Sequence, residues 1–230
     1  MPRSQPDNDT SANSGKIILR PFAAGDRSAV RAIACDTALM GEPCERFFDG
    51  REAVADALSA YYTDYEPQSC FVAESEGRVS GYLLGSLDVK KARNIFSRKI
   101  APGLWARALG QGIFFKRKNI RFLARVGWSA WQGEFRDPSF TEDYPAELHI
   151  NLAAGFRGRG IGGRLIAMYL DYLRRQRVAG LHFGSFSDDA SVFFQKQGFE
   201  VLYRAKRSYF RHVLGRDVNL YILGKKLEKA

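Results

Sequence analysis

The chain of 230 residues lacks several features that would assign it to common protein classes. No run approaches 18 consecutive apolar residues, so we expect no transmembrane helix. The N-terminus, MPRSQPDNDTSANSGK, has no apolar stretch of the kind that a secretory signal needs. Cysteines are few, odd in number and widely spaced, at Cys35, Cys44 and Cys70. This pattern favours a protein of the reducing cytoplasm over one built on disulfides.

Metal-binding patterns are also scarce. The sequence contains no C-x-x-C pair, and its three histidines, His149, His182 and His212, lie far apart. Zinc sites draw their ligands from short, characteristic spacings of cysteine and histidine. We therefore predict that the protein holds no metal.

Acidic residues are nearly missing from one segment, which we call the basic segment, residues 90–136. It contains 12 lysines and arginines and one acid, Glu134, for a net charge of +11, while 23 basic and 24 acidic residues elsewhere give −1. Apolar residues interleave with the cations, and the spacing of Ile100, Leu104 and Leu109 is helical. We predict an amphipathic helix pair packed on the core with solvated basic faces. A membrane surface or an anionic partner is the open alternative. Nucleic acid is an unlikely partner, because no nucleic-acid-binding motif is present.

The remaining pattern predicts one α/β domain over residues 16–230, preceded by a polar, disordered tail over residues 1–15. A hairpin is expected where the strand 70–74 turns through Glu76 and Gly77 into the strand 78–87. Further strands are predicted at 16–21, 147–152, 181–186, 199–204 and 218–223, and helices at 26–40, from 50, at 161–177 and at 188–198.

The most informative stretch joins the strand 147–152 to the helix that begins at Ile161. The helix has an apolar stripe, and the loop before it is rich in glycine and arginine. Glycines ahead of a helix leave its first N–H groups free to bind an anion, and the helix dipole adds to the attraction. With Arg157 and Arg159 at its rim, the loop is predicted to hold a diphosphate.

Two other diphosphate loops fit less well. Residues 158–163 formally satisfy G-x-G-x-x-G, but about 65 residues follow, too few for the further βα units of a dinucleotide-binding domain. A Walker loop fails because Ile161 stands where lysine would be needed. A plain glycine turn would not account for two arginines and four glycines in one short loop.

The pattern Arg157-x-x-Gly160-x-Gly162 resembles the acyl-coenzyme A loop of the GNAT N-acetyltransferase superfamily. The later strand, the Asp-capped helix and the ending Gly198-Phe199 resemble a second motif of that family. The resemblance covers roughly residues 16–89 and 144–224. It implies the GNAT fold, a mixed, mostly antiparallel sheet flanked by helices, with residues 90–143 as a basic amphipathic insertion.

The resemblance also implies acetyl-CoA as co-substrate and an amine as acceptor. The residues that would hold the pyrophosphate are Arg157, Gly158, Arg159, Gly160, Ile161 and Gly162. The pantetheine arm would pair with the end of the preceding strand, at Asn151, Leu152 and Ala153, where a bulge commonly separates this strand from the next.

Direct transfer needs a neutral amine, whereas an alkylamine is mostly protonated at neutral pH. A base must therefore remove a proton. Strand alternation places Glu147, His149 and Asn151 on one face, so we predict that Glu147 or His149 is the base. The alternatives are a core histidine bonded to backbone and a solvated edge carboxylate.

Two positions depart from the family pattern. Many GNAT enzymes have a tyrosine as general acid where this chain has Phe194, whose ring donates no proton. Ser187 stands where the family often has asparagine. A second hypothesis is therefore an acyl-CoA-binding module or regulatory protein with impaired catalysis. The acceptor side is expected around residues 42–48, and homodimerisation stays open.

Overall fold

The computed structural model describes residues 16–228, and the predicted disordered tail, residues 1–15, lies outside them. The described chain forms seven strands: β1 Ile17–Pro21, β2 Cys70–Ser75, β3 Arg78–Ser86, β4 Glu147–Leu152, β5 Gly180–Ser185, β6 Glu200–Arg207 and β7 Val218–Lys226. It also forms eight α-helices: α1 Arg27–Asp36, α2 Arg51–Tyr65, α3 Val89–Ile95, α4 Ala101–Gly110, α5 Arg117–Trp131, α6 Ile161–Arg175, α7 Asp188–Lys196 and α8 Arg211–Leu214. Most predicted elements agree with these bounds to within a few residues.

The strands make two antiparallel sheets, in the orders β1-β2-β3-β4 and β5-β7-β6. The sheets join through a parallel bridge between Ala146 and Leu181. There the N–H of Ala146 donates to the carbonyl of Gly180 at 3.2 Å, and the N–H of His182 donates to the carbonyl of Ala146 at 2.9 Å. The mixed, mostly antiparallel α/β fold predicted from the sequence is confirmed.

Helices cover both faces of the first sheet, which explains why β2 and β3 are apolar on both sides. On one face, the α6 stripe that includes Leu165 and Tyr169 is buried in a cluster with Leu83. On the opposite face, residues of α1 are buried in a cluster with Tyr82 and Leu84. Successive residues of β3 thus point alternately towards α6 and α1, as strand geometry requires.

The first helix is shorter than predicted, because it ends at Asp36 and not near Met40. Residues 37–42 turn back on themselves, with Met40 at φ +52° and Gly41 at φ +97°. An isolated bridge joins Leu39 to Glu42 within this turn. Apolar residues continue into this turn, so their spacing did not show where the helix ends. Spacing carries no information about left-handed backbone.

The basic segment forms three helices, α3 to α5, where a helix pair was predicted, and a π-helical turn over Phe96–Ile100 links the first two. Phe122 of α5 contacts Phe47 at a ring-centroid distance of 5.0 Å and Phe210 at 5.9 Å. Arg107 of α4 donates to the buried carboxylate of Asp56 at 2.9 Å. The insertion is therefore packed against α2 and the chain before it.

Asn119 fixes the start of α5 to the core. Its side chain is fully buried. Its Oδ1 accepts from the N–H of Asp49 at 2.7 Å, while its Nδ2 donates to the carbonyls of Asp49 at 3.2 Å and Ile113 at 2.7 Å. One amide thus satisfies three buried backbone groups, which is what a buried polar side chain needs in order to be tolerated.

Three further observations on residues 16–228 concern membrane-spanning helices, disulfides and metal sites. No helix among them is both long and apolar enough to cross a membrane. The three cysteines are unpaired and buried. No group of three or more histidine, cysteine or acidic side chains in this range is placed to hold a metal ion.

We expect Asn119→Ala to lower the free energy of unfolding by about 2–3 kcal/mol, because it strands buried backbone donors and acceptors. Urea unfolding followed by circular dichroism measures this. The matched control is Asn94→Ala on the exposed surface of α3, which should change stability by less than about 0.5 kcal/mol. Equal effects of the two substitutions would contradict the role given to the Asn119 amide.

Candidate active site

The site lies where β4 separates from β5. Beyond the bridge at Ala146, β4 has β3 as its ladder partner, in an uninterrupted register from Glu147 opposite Ser86 to Leu152 opposite Gly81. The ladder of β5 is with β7. The opening therefore comes from divergence of the two sheets, and the bulge expected in β4 is not needed to create it. Backbone groups on the β5 side of β4 are left facing the opening.

The glycine loop continues directly from the end of β4. Gly158 and Gly160 both have φ +73°, a backbone conformation that favours glycine. A Cβ on either residue would meet no atom of the described chain within 4 Å, so the space above the loop is open. The first i→i−4 bond of α6 is donated by Arg164 to the carbonyl of Gly160 at 3.2 Å. The N–H groups of the preceding turn remain available, since no side chain of residues 16–228 caps this helix.

Open space, glycines and the uncapped N-terminus of a 15-residue helix together make a cradle that fits a diphosphate. The sequence placed Arg157 at the rim of this cradle. In the structure its Nε donates to the carbonyl of Leu152 at 3.1 Å and its Nη2 to the carbonyl of Gly41 at 3.4 Å. Arg157 thus ties the loop to β4 and to the turn after α1. Arg159 is exposed, with its guanidinium 5.4 Å from the ring centre of Phe156.

Ser187 and Phe194 occupy the start and the interior of α7. The Ser187 Oγ accepts from the N–H of Ala190 at 3.2 Å and so caps the helix. The Phe194 ring is 6% exposed and lies 4.6 Å from the ring of Phe183 and 5.9 Å from that of Phe199. The position where the family pattern often has a tyrosine is therefore part of the aromatic core.

Glu147 begins the polar face of β4. Its Oε1 accepts a hydrogen bond from the Tyr62 hydroxyl of α2 at 3.0 Å. Burial raises the pKa of Glu147 above that of an ordinary glutamate, although the bond from Tyr62 opposes the shift. A carboxylate with a raised pKa is a stronger base than one in water, and catalytic bases are commonly tuned in this way.

His149 and Asn151 follow on the same face and join Tyr82 of β3. The Asn151 Nδ2 donates to the Tyr82 hydroxyl at 3.0 Å and lies 3.1 Å from the His149 Nε2. Burial lowers the pKa of His149 to about 4, so its ring is neutral at pH 7. The predicted face is thus observed, with Leu148, Ile150 and Leu152 packed into the core beneath α6.

Two hydroxyls that organise this face, those of Tyr62 and Tyr82, were not among the residues predicted from the sequence. Tyr82 lies directly opposite Asn151 in the β3–β4 register, and Tyr62 reaches Glu147 from 85 residues earlier in the chain. Strand alternation indicates which residues share a face of β4. It does not indicate which side chains of α2 and β3 meet them.

Comparisons with known proteins agree with this geometry. The family model described as the acetyltransferase (GNAT) family matches residues 37–199, and the chain belongs to this family. Enzymes of the family move an acetyl group from acetyl-CoA to amines, and acetyl-CoA is the co-substrate of this chain. The membership and the acetyl-CoA dependence inferred from the loop motif are therefore confirmed.

Solved structures show the same fold over nearly the whole chain. SsHAT is 25% identical, with a TM-score of 0.69, over 91% of this chain and 98% of its own. A phosphinothricin acetyltransferase from Sinorhizobium meliloti, in complex with acetyl-CoA, is 17% identical with a TM-score of 0.55, over 93% and 90%. A Drosophila melanogaster polyamine N-acetyltransferase is 17% identical with a TM-score of 0.57, over 92% and 100%.

Gly160→Ala should weaken binding of coenzyme A by about tenfold. Alanine disfavours the left-handed region by about 1–2 kcal/mol, so the free loop would relax out of it and coenzyme binding would have to restore it. Isothermal titration calorimetry with coenzyme A measures the change. Gly155→Ala is the matched control, since Gly155 lies in the same loop, in open space and without a positive φ. Unchanged affinity in both variants would exclude this loop as the coenzyme site.

Proposed function

We propose that the protein transfers the acetyl group of acetyl-CoA directly to a primary amine, with Glu147 as the general base. The observation that carries the proposal is the Glu147 carboxylate, half-buried at the start of β4 and one residue beyond the bridge to β5. The Tyr62 hydroxyl donates to it, and burial raises its pKa. The alternative base, His149, has a pKa of about 4 and is too weakly basic to remove a proton from an alkylammonium effectively.

In this proposal the chain performs three tasks. Glu147, directly or through a water molecule, takes the proton that the acceptor ammonium must lose. Backbone N–H groups at the opening between β4 and β5 polarise the thioester carbonyl. The nitrogen–carbon bond then forms as the carbon–sulfur bond breaks. The sulfur leaves as a thiolate that takes its proton from solvent, because Phe194 offers none.

His149 acts as a positioning residue in this scheme. Because it is neutral, its Nε2 can accept from Asn151, which in turn bonds Tyr82. The three side chains form a polar chain without charge beside Glu147. Because none of the three carries a positive charge, they do not oppose the raised pKa that burial gives Glu147.

The coenzyme would lie along the opening and over the glycine loop. Backbone groups of Asn151, Leu152 and Ala153 would pair with the pantetheine arm. The pyrophosphate would bind over the loop and the first turn of α6, at Arg157, Gly158, Arg159, Gly160, Ile161 and Gly162. Ser187, at the start of α7, would border the coenzyme on the β5 side, and Phe194, whose ring is buried against Phe183 and Phe199, would support α7 from the core.

A coenzyme-binding protein with impaired catalysis is the second candidate. It is favoured by Phe194, because a phenyl ring has no proton to donate at the position where many members of the family have a tyrosine. Turnover assays with amines of different chemical classes distinguish the enzyme from the binding protein. Turnover with any of them supports an enzyme, whereas tight coenzyme A binding without turnover on any amine supports the binding protein.

Glu147→Gln should lower kcat by about 10²–10⁴-fold while leaving the affinity for coenzyme A unchanged, because the amide cannot accept the proton. The release of free coenzyme A in the presence of an amine panel measures the rate. His149→Gln is the companion variant, and it should lower kcat by a smaller factor. A larger loss in His149→Gln than in Glu147→Gln would assign the base to His149.

The same substitution should stabilise the fold at neutral pH. A carboxyl whose folded pKa is raised favours the fold while protonated, and this contribution is lost as pH rises through the folded pKa. Glutamine keeps the bond from Tyr62 and carries no charge. The melting temperature of Glu147→Gln relative to wild type should therefore increase from pH 4 to pH 7. A relative decrease over that range would mean that the carboxylate stabilises the fold.

A further inference from the structure

The outward surface of α5 carries two parallel stripes that the acetyltransferase site does not use. Ile120, Ala124, Trp128 and Trp131 follow the i, i+4, i+8, i+11 spacing of one helical face. Of these, Ile120 is 53% exposed, Trp128 51% and Trp131 75%. A large apolar stripe left uncovered on a described helix marks an interaction surface.

The second stripe is basic and lies beside the first. Arg117, Arg121 and Arg125 are spaced i, i+4, i+8, and all three are exposed. The third face of α5, which includes Asn119 and Phe122, packs on the core. The helix thus has one buried face, one exposed apolar face and one exposed cationic face.

Basic side chains are concentrated at the N-terminal end of α5, where the helix dipole makes positive charge unfavourable. Lys116, Arg117 and Lys118 surround the helix N-terminus, where the dipole is positive, and the first turn contains no acidic residue. Asp49 neutralises only Lys118 among these three, at 2.6 Å. An anion bound at this end would relieve the repulsion.

A pocket of about 590 Å³ is present at that place. It is lined by Arg46, Arg117, Lys118, Arg121, His212 and Val213. His212 Nδ1 lies 2.9 Å from the carbonyl of Tyr209, and its buried Nε2 has no partner among residues 16–228. Because Nδ1 carries the proton that it shares with this carbonyl, Nε2 could donate to an anion only in the doubly protonated ring, and burial together with Arg121 and Arg125 lowers the pKa of His212. The arginines and Lys118 are therefore the groups that would hold an anion here.

We propose that α5 docks this protein on a bilayer containing anionic phospholipids, with headgroup phosphates in the basic pocket and the tryptophan stripe at the interface. Basic residues flanking exposed tryptophans are the pattern of helices that lie in the plane of a membrane surface. At 15 residues, α5 is too short to span one. The inference is independent of the chemistry proposed for Glu147.

Charge and exposure argue against the other occupants of this surface. A second copy would bring two segments of net charge +11 together, which opposes self-association through this face. Nucleic acid would satisfy the arginines. It would leave Ile120 and Leu109, which is 59% exposed, without an apolar partner. An anionic lipid surface offers phosphates to the arginines and an apolar environment to the exposed apolar side chains.

The chain provides its own probe, because all three of its tryptophans, Trp105, Trp128 and Trp131, lie in the basic segment. The full-length protein is mixed with phosphatidylcholine vesicles with or without phosphatidylserine, and binding is followed by co-sedimentation and tryptophan emission. We expect binding and a blue shift only with the anionic vesicles. Brominated acyl chains should quench that emission.

Two double variants separate the stripes. Arg117→Glu with Arg121→Glu should weaken binding to anionic vesicles by more than about tenfold, since each basic side chain near an anionic surface adds attraction. Arg78→Glu with Arg175→Glu makes the same change of charge at exposed sites outside the segment and should weaken it much less. Trp128→Ala with Trp131→Ala should reduce binding and most of the blue shift. Thermal melts confirm that the variants fold.

Several results would overturn the proposal. Equal losses in the two arginine pairs would show a nonspecific effect of net charge. Binding to duplex DNA or RNA without binding to vesicles would assign the surface to nucleic acid. Saturable binding of inorganic phosphate without vesicle binding would reduce the pocket to a phosphate site. A blue shift that accompanies dimerisation in the absence of lipid would assign the surface to a second copy.

Discussion

The active site depends on the separation of two strands that begin side by side. At Ala146 the backbone bonds to Gly180 and His182 hold β4 and β5 together. Beyond that point β4 pairs with β3, and β5 pairs with β7. One half of each strand's pairing is therefore left free in the interior, where unpaired backbone groups are costly unless something binds them. A coenzyme with an amide-containing arm is the kind of ligand that such an opening accommodates, and the glycine loop at the end of β4 has the open space and free N–H groups that fit phosphates.

Burial on the polar face of β4 sets the pKa values of Glu147 and His149. Because α2 covers the start of β4, Glu147 loses water and its pKa rises, while the Tyr62 hydroxyl keeps its carboxylate oriented. Burial lowers the pKa of His149, because the protonated form of histidine is the charged one. The pKa of Glu147 is thus raised, which suits a base, and the pKa of His149 is lowered, which keeps its ring neutral at pH 7. Removal of water is the common cause, and the sign of the charged form decides the direction.

The insertion carries a different chemistry from the acetyltransferase site. Asn119, Phe122 and Arg107 attach it firmly to α2 and to the chain before it. Its outer surface keeps both its tryptophans and its arginines exposed. A segment that needed only to pack on the core would not need uncovered indole rings there. The sequence thus combines a nearly neutral acetyltransferase unit with a strongly cationic insertion.

Local patterns in the sequence determined the strands, the glycine loop, the α6 stripe and the shared face of Glu147, His149 and Asn151, because these follow from periodicity and from the backbone freedom of glycine. They also located the charge in residues 90–136. Only the tertiary structure decided that α1 ends at Asp36, that Arg157 bonds to Leu152 and Gly41, and that Tyr62 and Tyr82 complete the polar face. The contacts of Arg157 with Gly41, Tyr62 with Glu147 and Tyr82 with Asn151 join residues far apart in the chain, so no local spacing encodes them. Solvent exposure is likewise a property of the packed molecule, and a helical spacing that packs Phe122 partly buried on the core leaves Trp128 and Trp131 on the surface.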